Sequence, residues 1–211
     1  MSRGLFVTLE GIEGSGKSTL LTPIKNHFEN QGKKVLITRE PGGTDLGNAL
    51  RTIILHFEKE SVCPLAELLL IQAARAQHIE HVVIDALKNY DLVVCDRFTL
   101  STLAYQWGGR GIEKEAIISL NELATHGIEP DITILLDLTT QTALERRKKR
   151  LIQHDRFETE DLTFHEKVRQ AYLSLAKTNS KQIRVFDSSV SSSELRKSVI
   201  QVIHAELDAH G

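Results

Sequence analysis

Cysteine is scarce in this chain, with two residues in 211. Cys63 and Cys95 stand far apart and form no C-x-x-C pair, which excludes a disulfide framework or a thiolate metal cage and leaves two reduced, structural thiols. An excess of one charge sign is lacking too. With 26 basic against 28 acidic residues the formal net charge is -2, so no whole-molecule field draws the protein to nucleic acid or to a membrane. Any polyanion must be held locally. No apolar run approaches a membrane span, and the opening MSRGLFVTLE is too poor in apolar residues for a signal-peptide core. The expected location is cytoplasmic. Fixed-period repeats and linkers are absent, and the one low-complexity tract is SSVSSS at 188–193. A single domain over 1–211 is expected, because a chain of this length with 41% apolar residues buries most of that surface in one core.

What is present alternates. Apolar, β-branched runs at 5–9, 34–38, 92–95, 132–138 and 183–186 read as five buried strands. Helical spacing fills the intervals 18–31, 64–90, 114–125, 140–150, 164–177 and 192–209. This pattern predicts an α/β fold in which helices cover both faces of a five-stranded parallel sheet and ligands bind at the carboxyl ends of the strands.

The stretch GIEGSGKS, residues 11–18, fits G-x-x-x-x-G-K-[ST] and falls between a predicted strand and a predicted helix, the setting that the motif requires. A glycine-rich helix cap is the plainer alternative. In the phosphate-binding reading, the backbone of Gly11, Ile12, Glu13, Gly14, Ser15 and Gly16 wraps a nucleoside triphosphate at the helix start, with Thr19 in the first turn. Lys17 then bridges the β and γ phosphates, and the Ser18 hydroxyl ligates Mg²⁺. No N/T-K-x-D motif for guanine occurs; AKTN at 176–179 lacks the aspartate. A kinase therefore fits better than a GTPase switch.

Later loops bear on the acceptor. In TREPGGT, 38–44, Arg39 ends a strand and Pro41 opens a turn whose backbone can approach a ligand; an Arg39–Glu40 ion pair is the alternative. In DRF, 96–98, Asp96 is placed to hold Mg²⁺ through water and Arg97 to fork a phosphate, unless the two simply pair. In STLAYQ, Ser101 and Tyr105 share one helical face, and Thr102 and Gln106 another, a set of groups suited to a base or sugar. Arg75 is a lone cation on the largely apolar stripe Ile71, Arg75, His78, either snorkelling or contacting a base.

Taken together, EGIEGSGKS, TREPGGT, DRF, STLAYQ, GGRG and DRFE, in this order over nearly the whole chain, resemble the bacterial thymidylate kinase family. That resemblance implies a three-layer αβα P-loop nucleoside monophosphate kinase fold, ATP and dTMP as small-molecule substrates, dTDP as product, and a homodimer. It implies that Glu13 faces the acceptor sugar, that Arg39 and Arg97 lie by its phosphate, and that Arg51 and Arg75 read its base. Pro41, Ser101, Thr102, Tyr105 and Gln106 complete the pocket. The P-loop lacks the arginine that some members place there, so a mobile lid at about 145–158 is expected to supply the charge, through Arg150 and Arg156 ahead of Arg146 and Arg147. A solvated helix face and a nucleic-acid patch are the alternatives for this basic run; against the second, no aromatics interleave with it and it spans only about two helical turns. The chain departs from the family at Ile71, where a stacking Phe is usual, and at Trp107, where Gly is usual. Loss of stacking removes roughly 1–3 kcal/mol and predicts weaker or less selective use of the base.

Overall fold

A computed structural model describes residues 3–149 and 155–210; of the candidate residues, Arg150 lies outside them. The five expected strands are present as β1 (Leu5–Glu10), β2 (Val35–Arg39), β3 (Leu92–Asp96), β4 (Ile132–Asp137) and β5 (Ile183–Asp187). All pair in parallel, in the order β2-β3-β1-β4-β5. β1 is therefore central, and every residue in it is buried, as a strand covered on both faces must be. Leu5, Val7 and Leu9 join one core cluster while Phe6 joins another, the period-two alternation of a pleated strand. Parallel registers align Asp96 with both Leu9 and Arg39, bringing three loops to one edge of the sheet.

Helices cover both faces. α1 (Lys17–Glu29) buries Leu20, Ile24 and Phe28 at helical spacing against the sheet. α9 (Ser192–His210) packs beside it through Leu195, Val199 and Ile203. Across the sheet, the expected helix over 64–90 is continuous but not uniform: α3 (Pro64–His78) passes through a π-helical turn, Ile79–Val83, into α4 (Ile84–Asn89). After β3, α5 (Thr99–Thr102) likewise runs into the π-helical segment Leu103–Gly109. α6 (Lys114–Thr125), α7 (Thr140–Lys148) and α8 (Leu162–Thr178) complete the set with α2 (Asp45–His56).

Sequence periodicity did not single out α2. Its start was nonetheless encoded, since the Thr44 side chain accepts from Gly47 N at 3.0 Å as an N-cap. Two preceding glycines and one inside the helix masked that signal. Gly47 is required because a side chain there would meet Gly42 O at 2.6 Å. Trp107 is accommodated within the π-helical segment, half-buried, with the Lys114 ammonium 5.0 Å from its ring centre. Among the described residues, no helix is long and apolar enough to cross a membrane.

Phe28 is fully buried between α1 and the sheet, whereas Leu123 on α6 is 74% exposed. Phe28→Ala is expected to lower unfolding free energy by about 3–5 kcal/mol, and Leu123→Ala by less than about 0.5 kcal/mol. Urea denaturation followed by circular dichroism measures both. Equal losses would contradict this assignment of the core.

Candidate active site

The chain leaves β1 directly into the glycine-rich loop, which turns through positive φ at Gly11 (134°), Gly14 (84°) and Gly16 (97°). A side chain at Gly11 would strike the Leu136 carbonyl oxygen, so β4 walls that side of the loop. Gly16 occupies the N-cap of α1 in the left-handed conformation, and the helix points its free amides at the loop centre. Lys17 folds back across it, donating to Gly11 O (2.8 Å) and Ile12 O (3.1 Å). From outside, the buried Ser188 hydroxyl donates to Ser15 O. Arg146 reaches Ser188 O at 2.8 Å and, more distantly, Gly14 O at 3.5 Å.

Three buried carboxylates order the side chains of the site, one through hydroxyls and amides and two through cations. Glu10 accepts from Phe98 N (2.8 Å), Ser101 Oγ (2.5 Å) and Tyr172 Oη (2.9 Å), and burial pushes its pKa up. Glu13 accepts from Arg97 Nη2 at 2.8 Å and from Tyr105 Oη at 2.6 Å. Burial alone would raise the Glu13 pKa; Arg97 and Lys17 outweigh it and hold it below the usual range. Arg97, at φ 70°, sits in a conformation rare for a side-chain-bearing residue and also donates to Gly11 O at 3.0 Å. Glu40 turns inward, away from Arg39, to pair with Arg75 Nε (2.7 Å) and His78 Nδ1 (2.9 Å). Arg75, 1% exposed, also donates to Thr102 Oγ1 (2.9 Å) and Asn121 Oδ1 (2.6 Å).

Between these groups lies a solvent-open cleft. Gly14, Gly16, Lys17 and Ser18 of the loop line it together with Pro41, Arg51, Ile71 and Arg75, and Arg97, Ser101, Thr102, Tyr105 and Gln106 are also on its walls. Arg39 is exposed and lies off this surface. Positive charge is crowded along it: burial and then the like charges of Arg39 and Arg97 lower the Arg51 pKa. Burial and then Arg97 push Lys17 down to about 8. Cations that repel one another across a concave surface mark a place for an anion.

Comparison with known proteins decides the family. The Thymidylate kinase family profile matches residues 9–199. A thymidylate kinase of Pelobacter propionicus is 42% identical over 211 residues, covering 97% of this chain and 96% of that one. Another, from Citrifermentans bemidjiense, is 44% identical over 191 residues, covering 88% and 85%. The crystal structure of thymidylate kinase from Ehrlichia chaffeensis superposes with a TM-score of 0.76 at 30% identity, covering 95% of this chain and 99% of that one. The chain belongs to the thymidylate kinase family. Its fold is the P-loop nucleoside monophosphate kinase fold.

Within this thymidylate kinase site, the basic segment divides. Arg147 is buried, donating to Glu158 O (3.1 Å) and His165 Nε2 (2.9 Å), while His165 Nδ1 lies 3.7 Å from Glu13. Arg156 pairs with Glu67 at 2.8 Å and donates to Ile54 O at 3.1 Å. Glu10, Glu67, Tyr172 and His165 escaped the reading of the sequence. Glu10 carried one signal, a carboxylate closing an apolar strand just before the loop; the other three sit on amphipathic helices with nothing local to mark them.

The depressed Lys17 pKa has opposite effects on folding and on binding. Unfolded lysine holds its proton to about 10.5 while folded Lys17 releases it near 8, so stability rises with pH between these values. Phosphate binding uses the charged form. ATP affinity, measured calorimetrically, is therefore expected to fall by about tenfold per pH unit above about 8 as the urea midpoint rises. An ATP affinity flat from pH 7.5 to 9.5 would refute the assignment.

Proposed function

We infer that this enzyme transfers the γ-phosphoryl group of ATP to dTMP, giving dTDP and ADP. The observation that carries this reading is one cleft lined both by the P-loop and by Arg51, Arg75 and Arg97, in a chain of the thymidylate kinase family. Phosphoryl transfer of this kind needs little covalent chemistry from the protein; it needs two nucleotides aligned end to end and developing charge stabilised.

Each group has a proposed part. The loop from Gly11 to Thr19 wraps the donor phosphates, with Lys17 as their cation. Arg51, which the family resemblance puts at the base, is assigned instead to the acceptor phosphate because its charge is crowded against Arg39 and Arg97; Arg97 and Arg51 receive that phosphate, whose arrival relieves their repulsion, and Arg39 approaches from the rim. Glu13 and Tyr105, already hydrogen-bonded, face the sugar; Arg75, Thr102, Gln106 and Ile71 face the base. Ser18 and Asp96 are the groups that would hold Mg²⁺. Asp96 Oδ1 is buried with no hydrogen-bond partner among the described residues, and hydroxyl and carboxylate oxygens are the ligands that a hard cation takes. When bound, Mg²⁺ neutralises charge on the β and γ phosphate oxygens.

Residues 145–158 form the proposed lid, with Arg150 and Arg156 as its cations. Arg156 must leave Glu67 to serve there, whereas Arg146 already reaches a P-loop carbonyl. A coupled ADP-release assay against dTMP, dUMP, UMP, CMP, AMP and GMP tests the reaction. We expect dTMP to be the best acceptor and Arg51→Ala to raise its KM at least tenfold with ATP KM little changed; no turnover of dTMP ends the reading.

A homodimer is proposed on the adjoining helices α2 and α3, which expose Leu46, Ile53, Leu65 (57%) and Leu69 (49%). Light scattering is expected to give twice the chain mass, and Leu65→Glu with Leu69→Glu to give monomers. A monomeric wild type would refute the assembly. The cytoplasm is the proposed location, where the unpaired Cys63 and Cys95 stay reduced.

A further inference from the structure

Glu67 and Gln106 form an oriented pair at the back of the cleft. Glu67, on α3, is 0% exposed, and Gln106, on the π-helical segment, is 1% exposed. Gln106 Nε2 donates to Glu67 Oε1 at 2.9 Å. Arg110 also donates to both Glu67 oxygens, each at 3.2 Å, and Arg156 lies 2.8 Å from Oε2. A carboxylate only accepts. Were the Gln106 amide turned over, its oxygen would face Glu67 with no hydrogen between them. Glu67 therefore dictates which end of the amide faces it and leaves Gln106 Oε1 as the free end. That atom is buried and has no hydrogen-bond partner among the described residues, although Gln106 lines the cleft. A buried acceptor without a donor is costly unless a ligand supplies one.

The neighbouring group has the opposite character. Thr102, about one helical turn before Gln106, receives Arg75 Nη1, and arginine only donates. A donor and an acceptor on one wall match a base edge with a carbonyl oxygen beside an N–H, as in a 4-keto pyrimidine. A 4-amino pyrimidine presents the reverse, an amino donor beside a ring-nitrogen acceptor. We propose that Glu67 is a positioning residue for base selection: by fixing the Gln106 amide it presents an acceptor to the base N3–H and so favours 4-keto over 4-amino pyrimidine nucleotides. This inference rests on the dTMP kinase reading.

The test is the ratio of kcat/KM for dTMP to that for dCMP, because general loosening of the site lowers both alike. Glutamine at position 67 both donates and accepts, which frees the Gln106 amide to turn. Glu67→Gln is expected to compress the ratio at least about tenfold. The double variant Glu67→Gln with Gln106→Glu returns an acceptor to position 106 at unchanged total charge, and the ratio is expected to recover. An unchanged ratio in folded Glu67→Gln overturns the proposal. Wild-type enzyme with N3-methyl-dTMP gives a check that needs no variant: at least about a hundredfold loss against dTMP is expected, and equal use means no acceptor faces N3. Absence of dTMP turnover in the wild type would overturn the kinase reading itself, an outcome distinct from either result.

Discussion

Lys17, Arg51 and Arg97 share one cleft, and the burial of Lys17 and Arg51 against the like charge of Arg97 is the constraint that the rest of the site is built around. Long cationic side chains do not stay close together in a partly dry space unless something holds them. Here each is tied down. Glu13 and Tyr105 fix Arg97, the Pro41 carbonyl fixes Arg51, and two P-loop carbonyls fix Lys17. The site is thereby preorganised, because folding has already done the ordering of these side chains.

The supporting carboxylates stand at the ends of parallel strands or in the loops that follow them and are buried to different effect. Glu10 has its pKa raised by burial and binds two hydroxyls and backbone amides, whereas Glu13 stays in the ionised range because two cations flank it. Glu40 belongs with Glu13: burial would raise its pKa, but Arg75 and His78 outweigh that. Neutralising partners thus divide one buried acidic layer into a group that braces by hydrogen bonding and two that hold cations in place. Glu67 follows the same logic, as the acceptor that gathers Arg110, Arg156 and Gln106.

Much of this was legible from local signals. Five strands, the P-loop, and the strand-end positions of Arg39, Asp96 and Arg97 follow from hydrophobic period and glycine placement, because a buried parallel strand and a phosphate-wrapping turn each demand particular residues in sequence. The π-helical turns were not legible, nor was α2, whose glycine-rich start hides a threonine cap. Arg75 shows the limit well: the sequence marks it as an odd cation on an apolar stripe and leaves open whether it snorkels or contacts a base, while its ion pair with Glu40 is seen only in the fold.

By itself, then, the sequence determined the layer order of the fold, the donor loop and the family, since these rest on short-range patterns that tolerate little variation. The tertiary structure alone decided the partners. Arg75 with Glu40, Tyr172 with Glu10, Arg97 with Glu13 and Gln106 with Glu67 are joined across 35, 162, 84 and 39 residues of chain. A hydrogen bond depends on distances of about 3 Å, and no local period encodes which distant side chain the packing of helices on a sheet will bring within that reach.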